Sequence, residues 1–530
     1  MEMSETNPSG AADFKMVAKT LQGLEDILAE ELRALGARNV EPGRRMVSFE
    51  GDLEMMYRAN LSLRTALRVL KPLWTFEAGN PDELYDRVKE LDWSKVLTPE
   101  KTFALDTVVN SDEFSHSLYV TYRVKDAIVD YFQDRLGEGV RPGVRLKDAD
   151  VMINVHISGR DVTLSLDSSG ESLHKRGYRV ASTEAPINEV LAAGIILRSG
   201  WRGDCPLVDP MCGSGTFLIE AALIGANIMP GIYRRGFAFE NWPDFDRELF
   251  ESIYNDDSGE REPAHKIYGA DISPKAVAIA ERNIKSAGVA RYVSLQRRPL
   301  SQWEEAPEGG VPGIMVTNPP YGERISVDDM GGLYQQLGMK LKNVFKGYHA
   351  WVIGYREEYF NKIGLAPSVK LPVLNGALEC ELREYVIFEG DYDSFRAAGG
   401  TLHTDASEQK AEKERQKIEK NREKRAREER RGGGDRQKGG FGKRRGDEKR
   451  GDDNRRGRWD SKQPRPRREE TEDENPLAAR RNPHALKDIL GRRPTLPKGD
   501  GPIMRPRRGW RRPDADNGGG DNSGDGGNKE

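Results

Sequence analysis

Between about residues 186 and 390, stretches with apolar positions at helical spacing alternate with short, nearly continuous apolar runs. The spacing predicts helices over 187–199, 215–225, 274–287 and 329–345. Strands are expected over 206–209, 266–271, 292–296, 313–317, 348–353 and 383–388. This alternation implies an α/β fold with a mostly parallel, doubly wound sheet. Residues 226–265 interrupt it with Pro, Trp and Phe, and read as an insertion between the first βα unit and the next strand.

The pattern before residue 170 is different. Phe14-Lys-Met-Val17 is strand-like, and Leu21, Leu24, Ile27, Leu28, Leu32 and Leu35 fall at helical spacing before Gly36. Met46 to Phe49 reads as a strand and Leu53 to Leu67 as a second helix, so residues 13–75 read as a small α+β unit. Next, Phe103 to Val109 is strand-like and Ser117 to Arg135 helical. Two β runs, 151–157 and 162–166, flank the turn Ser158-Gly-Arg-Asp161. No catalytic constellation precedes residue 170, so this half reads as a binding module and 169–396 as the catalytic domain.

After about residue 396 the apolar periodicity stops. Residues 409–430 suit a transient charged helix, and 431–470 are rich in Arg, Gly and Asp, a composition that cannot bury enough surface to offset chain entropy. The 397–530 tail is therefore expected to be disordered when free. An island at 475–490 keeps helical spacing and could dock a protein partner.

Composition narrows the function. Only 36% of the residues are hydrophobic, which agrees with part of the chain being non-globular. There is no apolar run of about 18 residues and the start is polar, so a cytoplasmic protein is expected, with no membrane partner. Cys205, Cys212 and Cys380 lack paired ligand spacing, so no metal site is expected. Residues 401–530 carry 37 Lys and Arg against 26 Asp and Glu, a balance of +11; 46 against 60 remain for residues 1–400, or −14. An acidic body with a basic tail can meet nucleic acid only through locally concentrated cations. Arg/Gly repeats with Phe441 and Trp459 suit loose RNA contact.

Two segments carry the chemistry. In Asp209-Pro-Met-Cys-Gly-Ser-Gly-Thr216, Gly213 and Gly215 let the backbone turn sharply beside a nucleotide-like cofactor at the end of a strand, with Asp209 placed near its amino group. The segment lacks the Lys-Ser/Thr of a phosphate loop. A plain βα turn is the bland alternative. Asp271, at the end of the second strand, can accept from ribose hydroxyls or cap the following helix.

In Asn318-Pro-Pro-Tyr321, the oxygens of Asn318 and Pro319 can accept hydrogens from an exocyclic amine. That favours the pyramidal nitrogen needed for attack on a sulfonium methyl. Pro319 and Pro320 stiffen the turn, and Tyr321 can stack on a base. A structural Asn-Pro turn with a core Tyr is the alternative. Glu323 and Arg324 could touch RNA or pair on the surface. The order and separation of the two segments point to S-adenosylmethionine-dependent methylation of an exocyclic nitrogen.

Together with Leu173-His-Lys-Arg-Gly-Tyr-Arg179, Ala185-Pro-Ile-Asn-Glu189, Ala192-Ala193 and Arg198-Ser-Gly-Trp201, these segments resemble the THUMP-containing bacterial 23S rRNA guanine-N2 methyltransferases. The resemblance covers about residues 13–390. It implies a ferredoxin-like segment over 13–53, a THUMP RNA-binding domain at roughly 54–168 and a Rossmann-like class I methyltransferase domain that makes N2-methylguanosine in large-subunit rRNA. It also implies that Met211 and Thr216 belong to the cofactor site, with Pro186 in a segment closing over it.

The chain departs from the family in three places. Arg297-Arg-Pro-Leu300 puts Pro299 where an acid near the adenine is usual, and Asn188 replaces a common Lys. Nothing after residue 400 could form the second, 7-methylguanosine-forming domain of some relatives. Adenine-N6 or protein-glutamine methylation, and a non-catalytic RNA-binding assembly factor, are the competing readings.

Overall fold

The computed structural model describes residues 13–146, 148–321, 330–388 and 390. Glu323, Arg324, the tail with its charged helix and the 475–490 island lie outside the described residues.

The first half comprises β1 (Phe14–Thr20), α1 (Glu25–Ala34), β2 (Arg38–Gly43), β3 (Met46–Gly51), α2 (Leu53–Ser62), β4 (Ala66–Glu77), α3 (Pro81–Glu90), β5 (Thr102–Asn110), α4 (Ser117–Leu136), β6 (Gly143–Val144), β7 (Val151–Ser158) and β8 (Asp161–Asp167). The strands form one sheet in the order β2-β3-β1-β4-β8-β7-β5-β6. The long strand β4 is the joint: Val17 pairs with Leu70 on one edge, and Leu70 to Glu77 pair with Asp167 to Asp161 on the other. The helix read from Leu53 to Leu67 stops at Ser62, because Leu63 is extended (φ −65°, ψ 125°) and Leu67 enters β4. Asp52 starts α2 by accepting the Met55 N–H at 2.9 Å, and Asn80 does the same for α3 ahead of Pro81.

The second half comprises α5 (Glu189–Arg198), β9 (Leu207–Asp209), α6 (Thr216–Gly225), α7 (Arg247–Tyr254), β10 (Ile267–Asp271), α8 (Pro274–Ser286), β11 (Val293–Arg297), the single turn α9 (Pro307–Gly310), β12 (Ile314–Thr317), α10 (Met330–Asn343), β13 (His349–Gly354), α11 (Glu357–Ile363), β14 (Val369–Asn375) and β15 (Leu378–Val386). Its sheet runs β11-β10-β9-β12-β13-β15-β14. The first five strands are parallel and β15 is antiparallel to both its neighbours.

The strand expected at 383–388 therefore begins at Leu378 and returns from β14 through a tight turn in which Gly376 takes φ +66°. Every residue of α6 and of β12 is buried, consistent with a sheet covered on both faces. Strand order reverses between β9 and β12, and in such sheets the crevice at the strands' carboxyl ends is where ligands bind.

The 226–265 insertion fastens the halves together. Tyr57 of α2 packs against Phe239 and Phe250 with ring centroids 4.7 and 5.6 Å apart, and the Asp246 N–H donates to its hydroxyl at 2.9 Å. Buried Arg234 donates to the carbonyls of Ser169, Glu171, Ser172 and Lys175 at 2.6–3.2 Å. These bonds fix the strap leading into the second half.

Gly177 in that strap has φ +107°, and a Cβ there would lie 2.2 Å from the Tyr233 carbonyl oxygen. Gly177→Ala should therefore destabilise the protein by about 2 kcal/mol or more. Urea unfolding measures this, and a midpoint equal to wild type would show that the strap is loosely held.

Candidate cofactor and methyl-acceptor site

The site begins where β9 ends. Asp209 is 1% exposed, and its Oδ1 accepts the Met211 N–H at 3.1 Å. Burial pushes its carboxyl up to about 8, against the opposing Met211 hydrogen bond; the nearby Asp271 charge adds to the rise. The turn that follows uses left-handed backbone at Gly213 (φ +54°) and at Gly215 (φ +81°), which is the N-cap of α6. A Cβ on Gly215 would sit 3.1 Å from the Ala280 Cβ, so glycine also permits close packing on α8. A Cβ on Gly213 would meet only the Thr183 hydroxyl, at 3.9 Å. That side of the turn has room for a ligand. Met211 is half-buried against the core formed by Val208, Ala270 and Met315.

Asp271 lies one strand away at the end of β10. Its Oδ2 accepts the Gly213 N–H at 2.9 Å and its Oδ1 the Ser273 N–H at 2.8 Å. Ser273, not Asp271, caps α8, accepting the Ala276 N–H at 3.3 Å. The capping alternative for Asp271 is thus corrected: its carboxylate ties the glycine turn to the loop after β10, and each oxygen keeps a lone pair for a ligand. Beside it, Ile272 exposes 68% of its surface.

The Arg298 N–H donates to the Asp271 carbonyl at 3.2 Å, and its guanidinium lies 4.8 Å from the Trp303 ring centre. Pro299 is half-buried, with its carbonyl accepting the Gln302 N–H at 3.0 Å. Pro299 therefore brings no carboxylate to the loop after β11, and exposed Ile272 begins the loop after β10.

Asn318 follows β12, on the other side of β9. Its Oδ1 is buried and has no hydrogen-bond partner among the described residues. Leaving a buried carbonyl oxygen unsatisfied costs about 1–3 kcal/mol, so an atom without a partner among the described residues calls for an explanation. Pro319 is buried and Pro320 half-buried. The Tyr321 hydroxyl accepts the Asn375 Nδ2–H at 3.2 Å, and its ring meets Tyr355 edge-on at 5.5 Å. Burial raises its phenol far above the usual range, so it is a neutral, anchored aromatic wall.

The strap before α5 completes the site. Asn188 caps α5, accepting the Val190 N–H at 2.9 Å, which gives this departure from the family a structural role. Half-buried Pro186 lies just ahead of it. The Thr216 hydroxyl is not free: Arg179 donates to it at 3.0 Å, and Ser214 Oγ lies 3.4 Å away. Arg179, the last residue of the 173–179 segment that carried the resemblance but given no role there, and Asn283, which the sequence did not single out, bind this strap to the glycine turn. Asn283 accepts from the amides of Val180 and Ala181 at 3.0 and 3.1 Å, and donates to the carbonyls of Ala181 and Ser214 at 2.9 and 3.0 Å. Only such tertiary contacts mark Asn283.

Among the described residues no cluster of three His, Cys, Asp or Glu could hold a metal ion, and no helix is long and apolar enough to cross a membrane.

Family comparisons follow the same architecture. The chain matches the RlmL ferredoxin-like domain over residues 15–70, the THUMP domain over 78–167 and the RMKL-like methyltransferase domain over 176–384. A Synechocystis sp. protein named as an RNA methyltransferase is 38% identical over 389 residues, which cover 73% of this chain and 100% of that protein. The ribosomal RNA large subunit methyltransferase K/L of Syntrophotalea carbinolica is 41% identical over 389 residues, 71% of this chain and 54% of its own; the chain spans about half the length of this relative.

Two solved structures, each 31% identical with a TM-score of 0.64, share the fold. One, described as a methyltransferase complexed with SAH, is matched over 72% of this chain and 99% of its own. The other, described as a predicted N6-adenine-specific DNA methylase from Listeria monocytogenes, is matched over 71% and 97%. With all three domains in order and a relative matched over its whole length, the chain belongs to the THUMP-containing RNA methyltransferase family.

Proposed function

We propose that the protein methylates the exocyclic N2 of a guanosine in large-subunit (23S) rRNA, using S-adenosylmethionine. The observation that carries this reading is the buried Oδ1 of Asn318, without a partner among the described residues and one strand from a glycine turn with open space beside Gly213. S-adenosylmethionine, when bound, supplies an electrophilic methyl on a sulfonium. The residues present fit it: the Gly213–Gly215 backbone and Asp209 for the amino-acid part, Asp271 for the ribose, Ile272 for an apolar ring face, and Met211 and Pro186 along the walls. Thr216 contributes through the shape of the turn.

Asn318 Oδ1 accepts one hydrogen of the acceptor amine and the Pro319 carbonyl the other, which withdraws the nitrogen lone pair from the ring and aims it at the methyl. Tyr321, tethered by Asn375, offers its ring to the base. The N-terminal sheet would hold the RNA and the 397–530 tail would add phosphate contacts, with 475–490 as a docking segment for a protein partner. The division at 13–53, 54–168, 169–396 and 397–530 follows these roles.

Asp271→Ala should weaken S-adenosylmethionine binding by about 10-fold or more, since charge-assisted bonds contribute roughly 1.5–3 kcal/mol each. Calorimetry decides it. An unchanged dissociation constant would leave Asp271 only the task of holding Gly213.

The function itself is tested by incubating the full chain with 23S rRNA and methyl-labelled cofactor, then digesting to nucleosides. N2-methylguanosine is expected. The Listeria relative keeps adenine N6 as the second reading, and N6-methyladenosine as the product would establish it. Cofactor binding without transfer would identify an assembly factor, and label recovered in protein would identify a glutamine methyltransferase.

A further inference from the structure

We propose that Arg179 is a positioning residue for the cofactor, a guanidinium fork that holds the glycine turn in its binding shape. The proposal rests on reading that turn as the S-adenosylmethionine site. The Arg179 side chain is 19% exposed and pairs with buried Glu189, Nε to Oε1 at 2.8 Å. Its other nitrogens donate to Ser214 Oγ at 2.9 Å, Thr216 Oγ1 at 3.0 Å and the Ile187 carbonyl at 3.3 Å. One side chain therefore touches the strap, the first turn of α5 and both hydroxyls that flank Gly215.

A planar fork with fixed donor directions can satisfy these acceptors together, whereas an ammonium on a flexible stem cannot. Because Gly213 and Gly215 permit many backbone conformations, the turn needs outside support to keep one of them. Asn283 supplies the second anchor from α8 through Ser214 O.

The strap that carries Arg179 is also fixed from the other half of the chain. Three residues earlier, buried Arg176 donates to the Arg64 carbonyl at 2.5 Å and to Glu220 Oε1 at 3.5 Å, and the Tyr178 hydroxyl joins Glu220 at 2.9 Å. The turn is thus braced against the module that precedes the catalytic domain.

The experiment compares full-length wild type, Arg179→Ala, Arg179→Lys and Ser214→Ala for KM of S-adenosylmethionine, kcat, rRNA affinity and apo-protein Tm. Arg179→Ala is expected to raise KM by about 10- to 100-fold, as loss of an outer-sphere support does elsewhere. At saturating cofactor, kcat should stay within about 3-fold of wild type, because Arg179 does not act on the amine. rRNA affinity should not change. Arg179→Lys should recover only part of the loss.

An unchanged KM beside a lowered Tm would overturn the proposal and leave Arg179 a merely structural clamp. If Arg179→Ala does not fold, Ser214→Ala decides: a KM rise of a few-fold supports the proposal and none overturns it. Failure of the wild-type chain to bind S-adenosylmethionine would instead overturn the cofactor reading, and this proposal with it.

Discussion

Asn318→Ala is expected to lower the rate of methyl transfer by about 100-fold or more while leaving cofactor affinity within a few-fold of wild type. Loss of one aligned acceptor in a preorganised site costs on the order of 3 kcal/mol of transition-state stabilisation. The same change should not destabilise the fold. It removes a buried oxygen without a partner among the described residues, and relieving such an atom is neutral or slightly stabilising. Activity and stability should therefore separate, which is a signature of a functional rather than a structural residue. Single-turnover kinetics, calorimetry and urea unfolding on one preparation measure all three quantities. Near-normal turnover by the variant would sink the proposed mechanism.

Asp209 should make the apo protein less stable as pH rises. Its carboxyl is raised from 3.8 to about 8, so between those values the folded chain holds a proton that the unfolded chain has lost. Stability from this group is fullest below about pH 4 and falls as pH rises toward 8, by at most about 1.4 kcal/mol per pH unit. Asp209→Asn cannot ionise and should flatten that decline, gaining on the order of 2 kcal/mol or more over wild type at pH 8.5.

Binding should couple to the same proton. A cofactor ammonium beside Asp209 favours the carboxylate, so calorimetry at pH 7 in buffers of different ionisation enthalpy should show release of about one proton. The Asn variant should show none and bind more weakly. Parallel stability curves for wild type and variant would mean that Asp209 is already ionised in the apo protein.

Much of the catalytic half could be read from the chain because burial on both faces of a sheet leaves continuous apolar runs. Ile314–Thr317 and Leu207–Asp209 are such runs, and the residues that follow each build the crevice. The misreadings have physical causes. Strand β2 has no buried residue, and α3 buries only Leu84 and Val88, so neither carries an apolar signal. Strand β4 contains Pro72 and a register shift between Pro72 and Trp74, which breaks the period-two pattern and let the preceding helix be extended into it. The Asn375-Gly376 pair was a legible hairpin signal that went unread. The roles of Arg179 and Asn283 were silent for another reason. Arg179 ends a segment that carried the resemblance but meets Ser214 35 residues on, and Asn283 reaches back 103 residues to Val180, so nothing local gives either side chain its task.

The central claim, that Asn318 in this crevice drives methylation of a guanine N2, is tested most directly in cells. Large-subunit rRNA from a strain lacking the protein should miss one N2-methylguanosine present in the parent. Wild-type protein should restore that nucleoside, and Asn318→Ala, expressed to the same level, should not. An rRNA with its N2-methylguanosine content unchanged by the deletion, or fully restored by Asn318→Ala, would contradict the account.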